Sequence, residues 1–235
     1  MKHLSKYMLA AGLGACIYSC KKDNYAPPGA MLTGNLLYNT DTIYVEKDAV
    51  HFQIYQYGFG KVGPISTNET FAQDGSYSAA LFNGDYKLII PAGDGPFVSA
   101  TTSSGAPDSV AITMNGNQTT DIQVTPYYLI RNAQASASGD NVTASFSIDQ
   151  IITGADAKDI ESVNLYINKT QFVSANNNIA GASVSGSDLT SLSGVSMSVA
   201  IPSMTPTQSY VFARIGLKIS GVEDMIFSPL FKVEF

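Results

Sequence analysis

The chain has 235 residues, 45% of them in the hydrophobic set and 14% charged, with 20 Gly, 10 Pro, two Cys and no Trp. That apolar share excludes wholesale disorder, and the length holds one large or two ordinary cores. A formal charge of −6 with pI ≈ 4.7 lacks the basic footprint of a nucleic-acid binder, and two cysteines exclude a disulfide-stapled miniprotein or a Cys-rich metal site.

Residues 1–19 read as a processing segment. Lys2, His3 and Lys6 form a basic start, and the apolar run 7–17 is well short of the roughly 20 residues a spanning helix needs. The tetrapeptide Ile17-Tyr18-Ser19-Cys20 resembles a bacterial lipobox. The resemblance implies cleavage before Cys20, diacylglycerol on its sulfur and a further acyl chain on the new α-amine. Two or more chains give stable anchoring, because each buried CH2 contributes about 0.8 kcal/mol. A membrane, reached through the lipid on Cys20, is therefore an expected partner. Cleavage removes Lys2 and Lys6 and leaves 11 Lys+Arg against 19 Asp+Glu. Residues 20–29, polar and then Pro-rich, read as a tether, and Lys22-Asp23 looks like a surface-export signal of Bacteroidetes lipoproteins.

No later window sustains helical apolar spacing; short alternating runs rich in Val, Ile, Tyr and Phe recur instead. Strands are predicted at 31–38, 50–57, 69–71, 75–81, 84–90, 108–114 and 119–125. Asp74-Gly75 and Asn83-Gly84 signal turns, and Asn115-Gly116 predicts a type I′ hairpin joining 108–114 to 119–125. Thr125-Pro126 closes the first unit, since Pro cannot donate to a continuing ladder. A second series follows at 127–133, 141–148, 160–168, 195–201, 209–219 and 225–235. Residues 174–194, dominated by Ser, Asn, Gly and Ala, read as a long loop or irregular edge, and 156–161 as one helical turn. The fold class is all-β, with two tandem β-sandwich domains at 30–126 and 127–235.

The segment Phe71-Ala72-Gln73-Asp74-Gly75-Ser76-Tyr77, followed by Leu81-Phe82-Asn83-Gly84-Asp85-Tyr86-Lys87-Leu88, resembles the turn-and-aromatic signature of carboxypeptidase-regulatory-like, transthyretin-type sandwiches. With Gly95-Pro96-Phe97-Val98, the Asn-Gly turn, Asp121–Tyr127 and the lipobox, the chain resembles a domain-of-unknown-function family of Bacteroidetes surface lipoproteins. Ser209-Tyr210-Val211-Phe212-Ala213-Arg214-Ile215-Gly216 looks like the penultimate strand of an immunoglobulin- or fibronectin-III-like domain, which makes Tyr210 a tyrosine-corner candidate. The family resemblance implies a lipid-anchored outer-membrane protein facing the cell exterior, beside SusC/SusD-type glycan-uptake proteins. Polysaccharide and a SusC/SusD-type complex are the expected partners, and the competing reading is a structural spacer with no ligand.

Chemistry-bearing residues are few. After cleavage His51 is the single histidine, and it sits in the alternating run Val50-His51-Phe52-Gln53-Ile54. There Val50, Phe52 and Ile54 share one face, and His51 and Gln53 take the other. No nucleophile elbow, zinc-helix or phosphate-loop pattern is present, so no cofactor, no metal and no catalysis are expected. The Asp residues mostly occupy turns, where they bond locally. Aromatics are the remaining lead, since sugar rings stack on flat apolar faces. Tyr55, Tyr57 and Phe59 continue the His51/Gln53 face at period two. These three rings either form an exposed stacking row, with Gln53 and His51 offering hydrogen bonds beside it, or belong to a second apolar layer, or are turned inward by a bulge near Gly58.

Overall fold

The computed structural model describes residues 26–56 and 64–235. They form two β-sandwiches in tandem, and the helical elements among them are the 3-10 turns Gly154–Asp156 and Gly186–Asp188. No helix among the described residues is long and apolar enough to cross a membrane.

The first sandwich is organised around Ala30–Tyr38, which fully buries Leu32 and Leu36. This strand pairs antiparallel with Ser76–Leu81 and, on its other edge, parallel with Gln118–Thr119 and Ile122–Gln123. The facing sheet runs in the order Pro64–Thr70, His51–Gln56, Gly84–Ile89, Ser109–Met114, all antiparallel. Strand alternation sends Val50, Phe52 and Ile54 inward as expected. The rings of Phe52, Phe71 and Tyr77 meet at centroid distances of 5.0, 5.2 and 5.7 Å and join the two sheets.

Two expectations for this domain are corrected. Asn115-Gly116 does not close a hairpin: Ser109–Met114 pairs with Gly84–Ile89, whereas Gln118–Thr119 pairs with Ala30–Tyr38. The turn passes between sheets, and Gly116 has φ +83° while Asn115 is not at positive φ, so the type I′ geometry is absent. The predicted strand 119–125 is broken into Gln118–Thr119, Ile122–Gln123 and Thr125–Pro126. The break lies opposite Gly34. A Cβ there would stand 1.9 Å from the Thr120 carbonyl oxygen, which also accepts the Tyr77 hydroxyl at 2.6 Å. The chain swings inward through the space a side chain would fill. Asp121 stitches the gap by accepting the Asn35 backbone N–H at 2.9 Å.

In the second sandwich Tyr128–Ser138, Asn141–Gln150 and Val195–Ala200 form one sheet. Ile160–Asn168 and Tyr210–Ile219 are the centre of the other, with Ala180–Ser185 at its edge. Of the two expectations for 174–194, a long loop or an irregular edge, the edge is what forms, as the regular strand Ala180–Ser185; its small residues leave it half exposed, which hid the alternation. The expected turn at 156–161 sits earlier, at Gly154–Asp156, and Ile160 is already strand. The predicted strand 225–235 splits into Ile226–Phe227 and Phe231–Glu234 around Pro229, which has no N–H to donate. Ser228 bridges the interruption: its hydroxyl accepts the Ile215 N–H at 3.0 Å and donates to the Pro229 carbonyl at 2.9 Å. Tyr210 does not form a tyrosine corner. Its ring packs edge-on against Phe212, 5.7 Å away, beneath Lys232 Nζ at 4.6 Å.

Candidate functional site

The sandwiches meet through polar contacts built on the outer face of Tyr210–Ile219. Odd-numbered residues from Val211 to Ile219 fill that domain's core, so alternation points Arg214 and Gly216 the other way, toward the first domain. Arg214 is 1% exposed. Its guanidinium donates to the carbonyls of Val45 (3.3 Å) and Gln73 (3.1 Å) in the first domain, and Val173 (3.4 Å) and Ser228 (3.2 Å) in the second. The Phe227 ring covers it at 4.3 Å. Burial pushes its pKa down to about 10, so it stays charged at neutral pH. Arg131 adds a pair to Asp41 at 2.7 Å, and Asp224 accepts the Gly95 N–H at 2.9 Å.

Above Arg214 the junction opens into a cleft of about 830 Å³. One wall is the outer face of the first sheet, carrying Thr33, Asn35, Ser76 and Ser78, with Gln73 and Asp74 from the preceding turn. Gln171 and Phe172 form the other wall. Their loop is pinned from two sides: Asn168 Nδ2 donates to the Phe172 carbonyl at 2.7 Å, and Gln73 Nε2 to the Gln171 carbonyl at 2.9 Å. Phe172 is 40% exposed, with Lys47 Nζ 5.5 Å from its ring centroid. Lys47 also pairs with Asp48, whose carboxyl pKa is lowered chiefly by that lysine. Both cations of the lining are thus engaged within the protein: Lys47 with Asp48 and Phe172, Arg214 with carbonyls. A hydrogen-bonding recess with one exposed ring can hold a hydroxyl-rich ligand; among the described residues no cluster of His, Cys, Asp or Glu is placed to hold a metal ion.

The residues singled out in the sequence lie elsewhere. His51, Gln53 and Tyr55 do share the half-buried face opposite the core of their strand. They bond among themselves and to a neighbouring loop: the Tyr55 hydroxyl donates to Gln53 Oε1 at 2.6 Å, and His51 Nδ1 lies 3.5 Å from Asp94 Oδ1. Tyr57, Phe59 and Cys20, the residue expected to carry lipid, fall outside the described residues. Phe172 was missed, and the available signal was a lone aromatic in the polar stretch Lys169-Thr170-Gln171-Phe172. Arg214 carried none, because a charged residue in an alternating strand reads as solvent-facing.

Comparison with known proteins places this architecture. Residues 30–125 match the N-terminal domain of the protein of unknown function DUF3823, and 128–232 match its C-terminal domain, DUF3823_C. A DUF3823 family protein of Parabacteroides merdae is 32% identical, with 88% of this chain and 100% of that one aligned and a TM-score of 0.75. One from Bacteroides ovatus is 31% identical, covering 87% and 98% of the two chains at a TM-score of 0.74. A candidate carbohydrate binding protein of Bacteroides uniformis, 16% identical, shares the fold at a TM-score of 0.65 over 88% of this chain and 100% of its own. No curated protein matches the chain. Because both halves match in order, and two relatives align along nearly their whole length at over 30% identity, the chain belongs to the DUF3823 family.

Proposed function

We propose that this protein is a non-catalytic surface lipoprotein, held on the outer membrane by lipid at Cys20. Its interdomain cleft binds neutral polysaccharide, and the protein serves as an accessory to a SusC/SusD-type uptake complex. The cleft carries the reading: its volume of about 830 Å³ lies at the upper end of small-ligand sites, and it exceeds the needs of a single sugar. Phe172 offers a stacking face, and Asp48, Asp74, Asn35 and Gln73 offer hydrogen-bonding groups for hydroxyls. With Lys47 and Arg214 already engaged, nothing in the lining repays the desolvation of a uronate or sulfate. The fold shared with a candidate carbohydrate binding protein supports the same reading.

Affinity electrophoresis of the mature chain through gels containing neutral glucans, galactomannan or polygalacturonate tests it. Retardation by a neutral polymer and not by polygalacturonate is expected, and Phe172→Ala should weaken retention about tenfold, or ~1.4 kcal/mol. A second reading, a rigid spacer, is favoured by the buried Arg214 contacts that lock the two domains. Retention by no polymer, together with co-purification with a SusC/SusD-type complex, would select the spacer.

A further inference from the structure

The first sandwich carries an apolar patch at the end where the chain enters it. Strand pairing sets Met31 opposite Ala80 and Ala30 opposite Leu81. Alternation buries Leu32, Ala79 and Leu81 and leaves Met31, Ala80 and Phe82 on the outer face. Met31 is 40% and Phe82 44% exposed, two of the largest apolar side chains left in water. Their surroundings are built rather than frayed. The Met31 N–H donates to Asn117 Oδ1 at 3.0 Å, the Gly116 N–H to Asn83 Oδ1 at 2.9 Å, and the Tyr86 hydroxyl to the Phe82 carbonyl at 2.9 Å. The loop residues at this end, Phe82, Asn83, Asn115, Gly116 and Asn117, carry no charge, and the carboxylate of Asp85, in the strand that follows, accepts the Thr113 hydroxyl at 2.8 Å.

What covers this patch follows from where the chain outside the sandwich ends. Residues 21–29 separate Cys20 from the first strand, and a fully extended run of that length reaches about 30 Å. Lipid on Cys20 would hold this end of the domain within that distance of the bilayer. Under such a tether even a weak contact is populated, because the surface is presented at high effective concentration. Phenylalanine and methionine on an uncharged rim suit the headgroup boundary, where apolar side chains embed by a few ångströms.

We propose that the Met31/Phe82 end rests on the membrane surface, with both side chains in the headgroup–acyl boundary. The contact depends on the lipid anchor and is independent of any glycan. It orients the molecule. Asn35 lies four strand positions beyond Met31, about 13 Å at the usual rise, so the cleft opens above the surface and the second domain is outermost.

The absence of Trp from the chain allows a clean test. The full lipidated protein is reconstituted in phosphatidylethanolamine–phosphatidylglycerol vesicles with brominated acyl chains, carrying Phe82→Trp, Met31→Trp, Phe172→Trp or Phe235→Trp one at a time. Bromolipid quenching is expected to be strong at positions 82 and 31 and absent at 172 and 235. Vesicle flotation reports the anchor separately, and Cys20→Ala should abolish it. Flotation without quenching at 82 and 31, or equal quenching at all four positions, overturns the orientation and leaves the anchor standing. A wild-type chain that does not float overturns both.

Discussion

The central strands of the two sandwiches obey the same alternation and put it to opposite use. Ala30–Tyr38 buries one face and leaves Thr33 and Asn35 on the other, as a wall of the cleft. Tyr210–Ile219 buries Val211 to Ile219 at odd positions, and also buries Arg214 and Gly216 on its outer face. The difference lies in what packs outside. The first domain and Phe227 cover Arg214, whereas Thr33 stays half exposed on the cleft wall. One domain contributes an open surface, and the other a sealed joint that holds the surface's two walls in place.

Breaking the joint gives the largest expected effect. Arg214→Ala removes the donors that satisfy carbonyls from both domains. Each buried carbonyl left without its donor costs about 1–3 kcal/mol, so a loss of about 3–5 kcal/mol is expected, and chemical denaturation should then show separate transitions in place of one. Arg214→Lys should recover only part of it, because a lysine cannot fan donors toward four carbonyls.

The open strand is tested at Gly34, where an added Cβ would meet the Thr120 carbonyl at 1.9 Å. Gly34→Val should cost about 2–3 kcal/mol through overpacking, read as a lowered denaturation midpoint. It should also loosen the 118–123 edge to hydrogen exchange. An unchanged midpoint would show that the close approach is not required.

Phe172→Ala sharpens the contrast by separating binding from folding. Its ring is exposed, so stability should change by no more than about 0.5 kcal/mol, while glycan retention falls about tenfold.

The smallest effect is electrostatic. Burial raises the Asp224 carboxyl pKa, against the opposing pull of the Gly95 N–H. A carboxyl raised in the folded state contributes stability below its unfolded pKa and loses it as pH rises through the folded value. Asp224→Asn should therefore nudge the melting temperature up at neutral pH and flatten its fall across the range just above ordinary carboxylate titration. The Asn carbonyl oxygen can still accept the Gly95 N–H.

Legibility followed the range of the interaction. The inward positions of Val50, Phe52 and Ile54 were readable because alternation is a property of neighbouring residues. The Asp74-Gly75 and Asn83-Gly84 turns were readable for the same reason, and both glycines sit at positive φ, +78° and +151°. The Asn115-Gly116 turn was recognised, yet its partners were not, since the same dipeptide serves a hairpin or a crossing between sheets. Ala180–Ser185 was readable only as a loop or an irregular edge, because small polar residues blur the contrast between faces.

The all-β class, the two-sandwich division and most strand positions were determined by the sequence itself, through side-chain alternation and turn chemistry that act over a few residues. Only the tertiary structure decided that Arg214 is buried, that Gly34 must lack a side chain and that Phe172 faces the first domain's polar wall. Each depends on partners far along the chain: Val45 is 169 positions from Arg214, and Gln73 is 98 from Gln171. No local pattern encodes such a meeting; it exists once both cores have formed and their outer faces are pressed together.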